Sequence, residues 1–213
     1  MKRYLHLLSI LVLIYATFSF ITVTPSMAGD AYLGGEIGVV FYPDATVNVP
    51  AFGSADLASK EGYLIGILVG TKFDVFRLEG ELAYRANDAD ELKGPGGTAP
   101  VTGDTTSTSL MVNGYYDIKT SSSVTPYLGA GIGFSNVSVD YSDAGVKLAD
   151  DSDMVFSYQF IAGVGFDINP KLKLDLSYKY FATTTPSYKD VFGDSFDVDY
   201  NTHNVQIGLR YSF

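Results

Sequence analysis

Any chemistry in this sequence has to come from carboxylates, bases and histidine. There is no Cys, which excludes a thiol nucleophile, a disulfide and a Cys-based zinc or iron–sulfur site. Glu79 and Glu81 stand two residues apart, and on a strand that spacing puts both on one face, as acid–base work would need. Arg77 and Arg85 share that parity, so the same four residues also read as an ion network. His6 and His203 are the two histidines. Asp150-Asp151-Ser152-Asp153 offers three carboxylates to a divalent cation, but not at EF-hand spacing, so Asp150, Asp151 and Asp153 are metal candidates only as a local cluster. Gly129-Ala130-Gly131-Ile132-Gly133 lacks the spacing and the following helix of a nucleotide loop. No cofactor signature is present.

The elements that would position these groups are strands. The last ten residues alternate strictly: Val205, Ile207, Leu209, Tyr211 and Phe213 on one face, Asn204, Gln206, Gly208, Arg210 and Ser212 on the other. Leu172, Leu174, Leu176, Tyr178 and Tyr180 oppose Lys173, Asp175, Ser177 and Lys179. Phe76, Leu78, Leu82 and Tyr84 oppose Arg77, Glu79, Glu81 and Arg85. Weaker copies lie near 31–42, 62–73, 107–118, 127–139 and 155–168, where the second face is largely glycine. The pattern predicts eight strands and no amphipathic helix. Short connections near 74–75, 119–126 and 169–171 alternate with long ones near 43–61, 87–106, 140–154 and 182–199. The long ones are rich in Asp, Gly, Pro, Ser and Thr and read as solvated loops.

The N-terminus is different. Lys2 and Arg3 precede an uncharged stretch over 5–23, and Ser26 and Ala28 have the spacing of an Ala-x-Ala-like cleavage site. Residues 1–28 are therefore expected to be a secretory signal peptide, with Pro25 ending the run; an uncleaved anchor is the competing reading. His6 leaves with it. Residues 29–213 are expected to be one domain. The full chain carries a net charge of −10, and losing Lys2 and Arg3 makes the remainder more acidic. That balance argues against a nucleic-acid partner.

Two architectures fit alternating strands. A soluble sandwich or barrel keeps its apolar face inside; a transmembrane barrel turns it to lipid. Strand length near ten residues, aromatics at strand ends, strict alternation of short and long connections and charges on the polar face favour an all-β, eight-stranded antiparallel up-and-down transmembrane barrel.

The segment Thr125-Pro-Tyr-Leu-Gly-Ala-Gly-Ile-Gly-Phe134, the signal peptide and the final strand ending in Tyr211-Ser212-Phe213 together resemble the OmpA-type, opacity-like outer-membrane barrels of Gram-negative bacteria, across the whole of 29–213. The resemblance implies an integral outer-membrane location, outer-membrane lipid and lipopolysaccharide as surroundings, periplasmic termini and external loops. It also implies that Tyr211 and Phe213 form the signal read by the barrel assembly machinery. No peptidoglycan-binding domain follows Phe213, so cell-wall anchoring is not expected. Some eight-stranded barrels are lipid-modifying enzymes needing a His near a Ser; parity puts His203 outward with no matching Ser pattern, so this is the disfavoured third reading.

Parity places Glu36, Lys72, Arg77, Glu79, Glu81, Arg85, Asp117, Asp167, Lys173, Asp175, Lys179 and Arg210 inside: six acids and six bases. Buried charges survive when paired, and an eight-stranded barrel is just wide enough for side chains to fill. The balance predicts a plug of ion pairs; a narrow ion path through the same charges is the alternative, and the inward glycines are expected to leave room for it. The long connections hold fourteen aspartates against four lysines. The leading expectation is a non-enzymatic structural or surface-interaction protein whose acidic loops meet an extracellular protein or glycan, or bridge to lipopolysaccharide through divalent cations. A small porin-like channel for ions or small solutes is the second.

Overall fold

The computed structural model describes residues 30–43, 45–49, 53–94, 97–100, 102–143, 146–190 and 194–213. The expected signal peptide lies outside them. The described residues form strands β1 (Asp30–Phe41), β2 (Ala45–Val49), β3 (Gly53–Ser59), β4 (Gly62–Phe73), β5 (Phe76–Gly94), β6 (Gly97–Pro100), β7 (Thr102–Asp117), β8 (Val124–Asp143), β9 (Val146–Asn169), β10 (Leu172–Thr183), β11 (Ser187–Lys189), β12 (Ser195–Val198) and β13 (Asn201–Ser212). Eight of these close a ring in the order β1, β4, β5, β7, β8, β9, β10, β13 and back to β1, every contact antiparallel. The eight-stranded antiparallel barrel is therefore the observed fold.

The short turns follow from local chemistry. Asp74 carries φ 55° at the β4–β5 hairpin, a left-handed conformation that Asp tolerates better than most residues. At the β9–β10 hairpin the Asn169 side chain accepts the amides of Lys171 and Leu172, both at 2.9 Å, a local substitute for backbone pairing. These turns, the start of β1 and the end of β13 share one rim.

The opposite rim corrects the reading of the long connections as solvated loops. Most of their described residues are strand. β5 runs on to Gly94, β7 begins at Thr102, and β8 and β9 pair from Val124↔Phe166 up to Asp143↔Val146. The remaining wall is continued by β3 against β5, β2 against β3, β12 against β2 and β11 against β12, with a single bridge, Ala149↔Asp190, returning to β9. β2, β3, β11 and β12 thus prolong β1, β4, β10 and β13 after a break. Pro43 and Pro186, which lack the ladder's N–H, sit at two of the breaks. The result is one tall barrel. Alternation obscured this, because turn-type residues such as Ser, Thr and Asp also serve on the polar outer face of a strand in water.

The outer face of the continuous wall (β5, β7, β8, β9) reads as horizontal rows. Leu82, Leu110, Phe134 and Phe156 are cross-strand neighbours; above them come Tyr84, Thr108, Asn136 and Met154, then Ala86, Thr106, Ser138 and Ser152, and finally Asp88, Asp104, Asp140 and Asp150. Leu33, Ile37, Ile65, Ile67, Val112, Ile132 and Leu209 are exposed around the lower barrel. Exposed aromatics border this apolar zone: Phe73, Phe76, Tyr116 and Phe166 on the short-turn side, Phe41, Tyr63, Tyr84 and Tyr178 on the other. Such a belt suits a hydrocarbon layer and its two interfaces. Among the described residues no helix is long and apolar enough to cross a membrane; strands make the crossing.

Candidate functional site: the filled lumen and the acidic upper rim

The lumen is built in three tiers. At the short-turn end Asp117 accepts Lys72 Nζ and Arg77 Nε, each at 2.8 Å. Asp175 takes Arg210 in a two-pronged contact, Nε at 2.6 Å and Nη2 at 2.7 Å, the geometry that makes Arg–carboxylate pairs strong. Lys72 is partly open to solvent, and the Lys173–Asp167 pair is more open still, so these mark the mouth.

In the middle tier Glu79 accepts the hydroxyls of Tyr32 (2.8 Å) and Tyr115 (2.7 Å). Glu81 is fully buried, and its Oε2 accepts Asn113 (2.8 Å), Gln159 (2.9 Å) and Lys179 (2.9 Å). Lys179 also donates to Glu36 at 2.7 Å. Arg85 lies 3.5 Å from Glu81 and donates to Ser109 Oγ at 2.5 Å. The Arg77 guanidinium sits over the rings of Tyr115 and Tyr127, 4.2 and 4.7 Å from their centroids.

Arg85 also marks the change to the third tier. Its guanidinium lies 4.0 Å from the Phe181 centroid. Phe181 belongs to one buried cluster inside the barrel, which reaches from Met111 through Val137, Val139 and Val155 to four tyrosines, Tyr42, Tyr141, Tyr188 and Tyr200. Burial pushes the Tyr141 hydroxyl up to about 12, and it holds Tyr42 well above its ordinary range, so both stay neutral at physiological pH.

All ten of Glu36, Lys72, Arg77, Glu79, Glu81, Arg85, Lys173, Asp175, Lys179 and Arg210 thus face inward, and the structure joins them in groups through Asp117, Asp167, Asn113 and Gln159. Glu79 and Glu81 are saturated by donors, an arrangement for holding charge rather than shuttling protons. The sequence reading missed Tyr32, Asn113, Gln159 and the whole apolar tier. A signal for the first two existed: Tyr32 pairs with Gly70, Asn113 with Gly131, Tyr115 with Gly129 and Tyr127 with Gly163. The glycines do not leave the room expected of them. A Cβ on Gly163 would lie 2.4 Å from Tyr127, and one on Gly129 would lie 2.5 Å from Tyr115. Each glycine is the socket of a large cross-strand neighbour.

The other candidates lie elsewhere. Asp151 and Asp153 accept backbone amides of β11, at 2.9 and 3.1 Å, while Asp150 belongs to the outward acidic row. Among the described residues no three carboxylates or imidazoles gather in a way that could hold a metal ion. His203 faces outward at the upper aromatic border, its Nδ1 2.5 Å from the Tyr178 hydroxyl. Tyr211 and Phe213 stack edge to face, 5.7 Å apart, outside the short-turn rim.

The chain matches the model of the outer membrane protein beta-barrel domain over residues 13–213, and it belongs to that family of Gram-negative outer-membrane barrels. An uncharacterized protein of Brucella abortus is 30% identical in an alignment covering 76% of this chain and 72% of the relative. An opacity protein of Neisseria gonorrhoeae is 28% identical, covering 49% of this chain and 52% of its own. The crystal structure of OprG from Pseudomonas aeruginosa superposes with a TM-score of 0.66 over 87% of this chain and 96% of that one, at 16% identity, a likeness of fold.

The acidic row has an electrostatic consequence. Partial burial, with Asp140 and Asp88 alongside, raises the Asp104 carboxyl above its ordinary range. A carboxyl raised on folding costs stability when ionised: the cost is absent below its unfolded-state value and develops as pH rises through the folded one. Asp104→Asn is therefore expected to stabilise the barrel at pH 7 by a few tenths of a kcal/mol, the scale of one cross-strand pair. The gain should vanish near pH 3 and shrink in high salt; urea midpoints in lipid vesicles at the two pH values check it.

Proposed function

We propose that this protein is a non-enzymatic surface-interaction barrel with its short-turn rim in the periplasm and its acidic upper barrel outside the cell. The observation that carries this reading is the filled lumen. The cavity among Glu36, Arg77, Glu79, Tyr115, Lys179 and Arg210 measures about 20 Å3, room for about one water. Above it the apolar tier closes the barrel a second time. What remains available to a partner is the outer surface of the upper barrel, where aspartates concentrate. Lipid surrounds the apolar belt beneath that surface and lipopolysaccharide borders it, and its partner is an extracellular protein or glycan. Tyr211 and Phe213 serve assembly, a role their exposed place at the end of the last strand suits.

Single-channel recording in a planar bilayer tests this. Protein refolded from residues 29–213, with heat-modifiable gel mobility confirming closure, is expected to leave the bilayer silent. Arg77→Ala removes one of Asp117's two cations and leaves the apolar tier in place, so it too should be silent. Reproducible small openings whose ion selectivity shifts with Arg77→Ala would instead establish the channel reading.

A further inference from the structure

The seam between β9 and the β10–β11 strand changes character halfway up. Through Thr183↔Ser157 the strands pair residue by residue, and Thr184 N still donates to the Phe156 carbonyl at 2.8 Å. Pro186 then has no N–H to give. From there to the isolated bridge Ala149↔Asp190 no backbone pair joins the two strands. The register has slipped by one residue at that bridge, since continuing from Thr183↔Ser157 would set Asp190 opposite Asp150. Between the two, side-chain acceptors take over: Ser187 N donates to Asp153 Oδ2 at 3.1 Å and Lys189 N donates to Asp151 Oδ2 at 2.9 Å. Two carboxylates stand in for two backbone carbonyls.

The piece held by this seam is small. β11 and β12 form a hairpin of three residue pairs, and β12 joins β2 through two, Asp197↔Asn48 and Val198↔Val47. Both ends of the hairpin sit on strand breaks, near 184–186 and 199–200. Behind it lie Val155, Ala149, Tyr188 and Val198 of the apolar tier. Just below the seam, Phe156 and Tyr158 face outward with the lipid belt.

We propose that Asp151 and Asp153 are a latch, and that the upper barrel opens at this seam. On release of the two amides, the β11–β12 hairpin swings from β9 about its two breaks, uncovering the apolar tier while the ion-paired lower barrel stays closed. The sequence cluster at 150–153 thereby acquires a role in holding a strand rather than a cation.

Hydrogen–deuterium exchange of the membrane-purified protein in lipid nanodiscs reads this directly. In the wild type, amides over 184–198 should exchange faster than those over 172–183, since their opening does not require the barrel to unfold. In Asp151→Ala/Asp153→Ala, exchange over 184–198 should accelerate by about tenfold or more, the scale of losing charge-assisted hydrogen bonds, with 172–183 and 201–212 unchanged. Asp151→Asn/Asp153→Asn keeps an accepting oxygen at each position and should stay within a few-fold of wild type. Unchanged rates over 184–198 in the alanine variant would overturn the latch, as would an acceleration spread evenly over all strands. Should that variant fail to assemble, equal protection of 184–198 and 172–183 in the wild type would overturn it too.

Discussion

Lys179→Met is expected to cost the barrel about 3–5 kcal/mol, the penalty for stranding buried charge. Lys179 Nζ lies 2.7 Å from Glu36 and 2.9 Å from Glu81, and all three are buried. The two carboxylates do not lose equally. Glu81 retains Asn113, Gln159 and the more distant Arg85. Glu36 loses the ammonium that neutralises it, and the unbranched methionine side chain offers no donor. Adding Glu36→Gln to Lys179→Met should therefore recover much of the loss, because the remaining charge keeps its amide donors. Urea unfolding in phospholipid vesicles, followed by heat-modifiable gel mobility, measures both variants. A midpoint for Lys179→Met close to wild type would mean that water reaches Glu36. The lumen would then be wet enough to reopen the channel reading.

The lower barrel and its charges were legible in the sequence because one rule governs them. Alternation with lipid on one side and paired charge on the other leaves a period-two signal strong enough to place Lys179, Arg210 and Glu81 on the inner face before any partner is known. Partners are another matter. Which base meets which acid depends on register, and register is invisible without strand order: Glu36 and Lys179 are 143 residues apart, yet meet at 2.7 Å. The glycines were misread for the same reason. Gly163 read alone is a gap; beside Tyr127 in the next strand it is a socket. The upper barrel was hidden by chemistry rather than distance. Above the lipid belt the outer face must be polar and the inner face becomes apolar, so the pattern inverts there. Tyr141 and Ala149 keep the inward parity of Val137 and Val155, but in the stretch 140–154, dense in Ser and Asp, they read as loop residues.

That inversion gives Phe181 the role of joint between two kinds of filling, and Phe181→Ala should show it. Phe181 is fully buried, with its ring 6.1 Å from Tyr200 and the Arg85 guanidinium 4.0 Å from its centroid. Truncating a buried phenylalanine costs about 3–5 kcal/mol, part transfer and part cavity. Here the cavity opens against a cation whose Nε has no hydrogen-bond partner, so the ring's face is part of what makes that burial tolerable. Phe181→Leu refills most of the volume without restoring the ring face, and should recover only part of the loss. Adding Arg85→Met to Phe181→Ala removes the uncovered charge and should recover a different part, although Glu81 then depends on Lys179 alone for cationic neutralisation. If the two rescues instead return equal stability, the ring acts as volume alone. If Phe181→Leu matches wild type while Phe181→Ala/Arg85→Met recovers nothing, the contact with Arg85 carries no energy and the apolar tier stands independently of the ion network beneath it.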